Sequence, residues 1–329
     1  MAAHSKSVAR EPRSRTHFPL NSLAIPLGLA GLAQVWSIAT AALGTSFALT
    51  QAFWLVAALA WIVMAAAHAH RDRRVAQGFS HQLTHFAHGP LAALLPLSAM
   101  LLGADLHRTF PFAGTALTLI SIIAAAVFGA WMMSFWMSGE MALESVHGGY
   151  YLPISAAGLV GALTAAQTGL DWLAVASFAI GLFFWVVISM LLFLRLALRP
   201  AMPAPLVPTL VIMIAPPAVG AAAWLAISNG QPDALFGSLT AITAFMVMVQ
   251  VPLLPRYRAL PFSHGFWSFT FPVASVAALA IIWLHLLHPP AWRVVTTGLL
   301  AAVTIFVGMI AVKSILLILT PSRRCDSPR

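Results

Sequence analysis

Apolar runs of about twenty residues, separated by short polar connections, fill the chain from residue 18 to residue 318. An α-helix of about 20 residues crosses the roughly 30 Å hydrocarbon core of a bilayer, so each run predicts one transmembrane helix. The pattern predicts ten, at 18–42, 47–69, 87–106, 113–137, 152–169, 171–195, 208–228, 233–254, 265–287 and 291–318. Alternate runs carry a proline in their middle or first third: LAIPLGLAGLA at Pro26, ALLPLSAMLLGA at Pro96, YLPISAAGLVGA at Pro153, IAPPAVGAAA at Pro216 and Pro217, and TFPVASVAALA at Pro272. The runs between them read as free of internal proline. Proline removes a backbone donor and clashes with the carbonyl one turn back, so these five helices are predicted to kink. Freed carbonyls are tolerated at membrane depth only where protein or a watery cavity surrounds them. The alternation therefore predicts two rings, kinked helices inside around a central path and straight ones outside against lipid.

The prolines also mark a repeat. They recur every 56 to 70 residues, the length of two spans with their connections, so the unit is a helical hairpin of one kinked and one straight helix, repeated five times. Successive kinked helices all start on the same side, which makes the repeats parallel. The expected fold is all-α and integral to the membrane: ten helices as five parallel hairpins around a pore, odd helices inside and even helices outside. Small residues follow each proline, among them Gly28, Ser98, Gly158, Gly220 and Ser275. They permit close helix approach and equally leave space along an axis, which makes them candidate pore-lining positions. The alternative is that the prolines set helix curvature in a closed bundle.

Charge fixes the expected orientation. Of the 17 lysines and arginines, 15 fall on one side of the ten-span drawing, in the two tails, at Lys313 near the carboxyl end, at Arg71, Arg73 and Arg74, and at Arg195, Arg199, Arg256 and Arg258; Arg108 and Arg293 remain for the other. The positive-inside rule then places both termini in the cytoplasm, in an inner or plasma membrane. With 60% hydrophobic and 8% charged residues, the chain has too little polar surface for a soluble domain. The net charge of +9 is spread over membrane-proximal loops and is explained by topology, so no nucleic-acid partner is expected. Residues 1–17 and 319–329 read as polar cytoplasmic tails and 18–318 as one transmembrane domain. Ala39-Thr40-Ala41 resembles a cleavage site, but the long polar leader and the place of the first run in the proline series make it a retained span. Cys325 stands alone in the carboxyl tail and forms no internal disulfide or metal cluster.

The remaining chemistry lies at span ends. The eight carboxylates, Glu11, Asp72, Asp105, Glu140, Glu144, Asp171, Asp233 and Asp326, fall in tails or at or beyond the ends of runs, away from the mid-membrane depth where ion-coupled carriers keep their relays. A path without negative charge suits an anion. The basic rim, including Arg195 and Arg199, draws anions in, and helix ends and hydroxyls provide partial positive charge. Twelve histidines raise haem or metal as a rival. The spacing of His81, His85 and His88 puts two or three of them on one helical face, but they lie in a basic surface loop, and haem ligation needs histidines deep on facing helices. Glu140 and Glu144, a turn apart near His147, are weak grounds for a metalloenzyme. No cofactor is expected.

The stretches IPLGLAGLAQVW, FAHGPLAALLPL, YYLPISAAGLVGA, APPAVGAAAWLAISNG and GFWSFTFPVASVAALA, in this order over residues 18–318, resemble the tellurite-resistance and C4-dicarboxylate transporter family, the group that includes the slow anion channels of plant guard cells. The resemblance implies ten helices in five hairpins around an anion path, assembled as a homotrimer with one pore per subunit. It also implies a gate. In that family a phenylalanine in the ninth helix plugs the pore immediately before the proline of a W-x-[FY]-[ST]-F-P stretch, which Trp267 to Pro272 match, so the carried-over gate is Phe271. A bulky ring beside a kink and among small residues is physically able to dewet a narrow path and to swing aside. Phe269, two residues away on a different face, is the competing aromatic. The expected function is a channel or channel-like transporter for small inorganic or organic anions, not an enzyme. The alternatives are a proton-coupled exporter, with His147 as the nearest ionisable candidate, and a haem-binding protein.

Overall fold

The computed structural model describes residues 20–72, 83, 86, 88–139 and 141–319. Ten helices in this range are long and apolar enough to cross a membrane: α1 (Leu20–Leu43), α2 (Phe47–His70), α3 (Gly89–His107), α4 (Pro111–Trp136), α5 (Gly148–Gln167), α6 (Asp171–Leu198), α7 (Ala204–Ile227), α8 (Ala234–Arg258), α9 (His264–Leu287) and α10 (Trp292–Leu319). No strand occurs among the described residues. The segments α5 and α7 begin about a turn earlier than the apolar runs. Gly148, Gly149 and Pro205 read as connection residues, yet they are wound into 3-10 turns.

That winding is the common property of the odd helices. Each opens as 3-10 helix, at Leu20–Leu23, Gly89–Ala93, Gly148–Tyr151, Ala204–Ile214 and His264–Phe269, with a π turn at Leu152–Ala156 added in α5. The α segments proper start at Ala24, Leu94, Ala157, Ala215 and Thr270. Pro26, Pro96, Pro216 and Pro272 fall in the first turn of their α segments, where a backbone N–H has no α-helical partner in any case. The missing donor thus sits at the change of winding and not in the middle of the helix. Pro153 lies inside the π turn, a wider winding of the kind found at helix kinks. The even helices run as continuous α-helix apart from α8, where a 3-10 turn at Val251–Leu253 surrounds Pro252. The expectation of proline-free outer helices fails there, in the last turns of the span.

The odd helices pack on one another in the closed order α1, α3, α5, α7, α9 and back to α1, and their five openings form the same closed ring at one end. Between 44% and 83% of each odd span is buried, against 17–33% of each even span, so the odd helices are the inner layer and the even ones the outer. The end where the openings gather also carries Arg195, Arg199, Arg256, Arg258 and Lys313, and is the basic end of the bundle.

Between helices in lipid, packing and hydrogen bonds replace the hydrophobic effect as the source of cohesion. Glycines let backbones touch: a methyl group at Gly158 of α5 would stand 2.6 Å from Gly181 Cα of α6, and one at Gly103 of α3 would stand 2.8 Å from the Thr118 amide of α4. Tryptophan indoles supply the polar links. Trp36 donates to Thr304 (3.1 Å), Trp54 to Ser37 (2.9 Å), Trp267 to Ser314 (2.9 Å) and Trp283 to Thr240 (3.0 Å), each joining an inner helix to an outer one.

Candidate functional site on the bundle axis

All five inner helices contribute to one small cavity of about 40 Å³. Ala24 and Leu27 come from α1, Leu94 and Leu97 from α3, Leu152 and Ala156 from α5, Ile212, Ala215 and Pro216 from α7, and Phe271 and Pro272 from α9. Among the described residues, no charged side chain lines it. Its level is set by the change of winding, because Ala24, Leu94 and Ala215 are the first residues of their α segments and Ala156 and Phe271 lie one residue from theirs. These five changes of winding surround an apolar space with room for about one water, whose share of liquid volume is near 30 Å³.

Phe271 is 8% exposed and rests on α1: a methyl group added at Gly31 would stand 2.9 Å from Phe271 Cδ2 and 3.3 Å from Ala274 Cβ. Its own carbonyl accepts from Ser275 Oγ at 2.8 Å. Phe269 faces elsewhere. Its ring meets Tyr257 edge-on at 5.0 Å and Phe266 at 5.6 Å, on the outer side of α9. Of the two aromatics that the sequence leaves open, Phe271 is the one on the axial cavity.

The prolines and small residues separate by role. Pro216 and Pro272 line the cavity; Pro26 and Pro153 are buried and Pro96 is half-buried, with the Pro153 carbonyl turned toward Gly129 of α4. Gly28 lies against Thr270 and Trp267 of α9, Gly158 against Gly181, and Gly220 within reach of Leu159 and Leu239. Ser98 Oγ donates to Leu94 O at 2.7 Å and Ser275 to Phe271 O. None of these five small residues is among those that line the axial cavity; the glycines stand where helices approach closely and the serines bond to their own helices.

A second cavity, of about 280 Å³, lies toward the opposite end between α1, α2, α3 and α5, and its polar lining includes Gln34, Ser37, Asp105, Arg108 and Gln167. Gln51 Nε2 donates to Asp105 Oδ1 at 3.3 Å. Sequence reasoning passed over this group; the available signal was glutamine inside otherwise apolar runs, at positions 34 and 167. His147, the residue on which proton coupling would rest, is fully buried at the opening of α5, and its Nδ1 accepts from the Gly149 amide at 3.1 Å. Of the His81, His85 and His88 set, the first two lie outside the described residues, as does Glu140. Glu144 pairs with Arg199 at 3.2 Å. Among the described residues no three His, Cys, Asp or Glu side chains come within reach of a common metal ion.

Three relatives are informative. The tellurite resistance protein TehA homolog of Haemophilus influenzae is 27% identical over 275 residues, covering 81% of each chain. The S-type anion channel SLAH2 of Arabidopsis thaliana is 26% identical over 80% of this chain, which spans about half (52%) of that longer protein. The guard cell S-type anion channel SLAC1 of the same plant is 30% identical over 37% of this chain. The sequence profile of the family described as voltage-dependent anion channel matches residues 17–315, all of the ten-helix bundle but the last turn of α10, and the chain belongs to that family.

Proposed function

We propose that the protein conducts small anions across the membrane along the axis of its inner ring, with Phe271 as the gate. The observation that carries this reading is the axial cavity, reduced to about 40 Å³ where the α segments of five parallel helices begin. An ion held there has no carboxylate beside it and the Phe271 ring in its way. Desolvating a bare ion into such a space costs several kcal/mol, so flow requires the ring to move and water to follow. Chloride, nitrate and the C4 dicarboxylates are the substrate class. The names of the relatives, anion channels and a tellurite resistance protein, support transport of anions over chemistry upon them, and no enzymatic step is assigned.

The subunit is read as one of three, each with its own path, in a plasma or inner membrane with both termini in the cytoplasm. The basic end would then face the cytoplasm, where its arginines raise the local anion concentration. Current recording on the reconstituted protein, with chloride, nitrate, malate and succinate exchanged in turn, tests the function. Reversal potentials that follow the anion gradients support it. Currents that follow a proton gradient overturn it in favour of a coupled exporter.

A further inference from the structure

Four outer helices, α2, α4, α6 and α10, each lie against two inner ones. The exception is α8, which lies against α7 and meets α9 at two points: near the basic end Tyr257 stands edge-on to Phe269 at 5.0 Å, and further along the Trp283 indole donates to Thr240 Oγ1 at 3.0 Å while its ring stacks on Phe236 at 4.9 Å. From the Trp283 contact toward the basic end, α8 and α10 stand apart over α9 and leave an elongated groove of about 790 Å³. Phe269, Val273 and Ala277 form its floor, with Leu254 of α8 and Phe306 of α10 on its walls. Val251, Leu254 and Met309 at its edges are 43–57% exposed, so it opens to the lipid side.

Length and charge select the occupant. The groove follows α10 from Lys313 to Leu299, about 21 Å at the helical rise of 1.5 Å per residue, which is somewhat more than half of the roughly 30 Å core. It ends at the Trp283 contact. A transmembrane helix of a second copy is about 10 Å wide and crosses the entire core, whereas this groove fits a chain that stops near mid-membrane. Its mouth at the basic end holds two cations, Arg258, the last residue of α8, and Lys313 of α10. Lys313 Nζ lies 5.8 Å from the Phe262 ring. The carboxylate pairing found among the described residues belongs to Arg199 and Glu144, so neither Arg258 nor Lys313 has an acidic partner there.

We propose that the groove is a binding site for an anionic phospholipid, with one acyl chain on the outer face of α9 and the phosphate held between Arg258 and Lys313. The assignment does not depend on what passes along the axis. The bound chain would lie against Phe269 and Val273, which flank Phe271 and Pro272 in sequence.

The test uses the full chain in micelles containing equal amounts of phosphatidylglycerol and phosphatidylcholine of the same acyl length, with bound lipid counted by native mass spectrometry. The wild type should retain phosphatidylglycerol preferentially. In the variant carrying Arg258→Gln and Lys313→Gln its binding should weaken about fivefold for each cation removed, the usual attraction of one surface cation to anionic lipid, while phosphatidylcholine binding stays unchanged. Ala302→Trp, which fills the groove from α10, should reduce retention of both lipids. Equal retention of the two lipids by the wild type, or undiminished phosphatidylglycerol binding in the double variant, would overturn the assignment. So would a disulfide between subunits through Met309→Cys, in a Cys325→Ser background, because it would place a second copy in the groove.

Discussion

Replacing Phe271 with alanine takes a phenyl group out of the axial cavity and leaves its other walls in place. The phenyl group is larger than a water molecule, so the 40 Å³ space, which holds about one water, would grow enough to hold more than one. An anion then crosses with part of its hydration shell and avoids much of a desolvation cost of several kcal/mol. Each 1.36 kcal/mol is tenfold in rate, so current should rise by at least about tenfold. It should stay anion-selective, since the substitution brings no charge to the lining. The stability cost is bounded by the 3–5 kcal/mol of a buried Phe→Ala change and is reduced by the entering water. The assay is recording from reconstituted protein, with folding checked by size-exclusion chromatography and reversal potential measured in a chloride gradient. Phe269→Ala is the control: its vacancy opens on the lipid-side groove, where acyl chains fill it, and current should not change. A folded Phe271→Ala protein that passes no more current than wild type would refute the gate. If Phe269→Ala opened the path instead, the gate would be the neighbouring ring, and if neither variant passed anions the channel reading would give way to a coupled carrier.

Gly31→Ala should change the open fraction without touching the ring, because the new methyl would stand 2.9 Å from Phe271 Cδ2; single-channel recording reads this, and unchanged gating would show that the ring does not rest on α1. Gly181→Ala should cost at least the 1–3 kcal/mol of overpacking, since its Cβ would stand 2.7 Å from the Leu159 amide nitrogen, and should lower both yield and melting temperature. The Asp233 carboxylate accepts from the Phe236 amide at 3.0 Å and from the Trp224 indole at 2.8 Å, and these bonds hold its pKa below the ordinary 3.8. Its contribution is therefore present above that value and is lost as pH falls through the folded pKa; melting curves of wild type and Asp233→Ala should differ near neutrality and converge as the pH is taken below the folded pKa. Accessibility labelling of both tails and of residues 73–82 should place all three in the cytoplasm. A carboxyl terminus on the other side would break the positive-inside drawing.

Helix count, helix boundaries to within a few residues and the inner or outer place of each helix were legible in the sequence, because they rest on local requirements. A run of about 20 apolar residues suffices to span the core, and a proline's missing donor needs protein or water around it wherever it stands. Tertiary structure decided the azimuth of each helix. Phe269 and Phe271 are both aromatic residues beside the same proline, and only the packing of α9 on α1 turned Phe271 to the axis and left Phe269 on the groove. The same holds for Gly158, whose bare face was claimed by Gly181, and for Gln34, Asp105 and Gln167, which meet around one cavity from distant parts of the chain. The early openings of α5 and α7 and the break at Pro252 likewise depend on winding, which glycine and proline composition does not specify. In water, a helix declares its buried face by a stripe of apolar residues. In lipid the two sides of a helix meet equally apolar surroundings, so the pattern carries depth but not direction, and direction comes from the fit of one helix against the next.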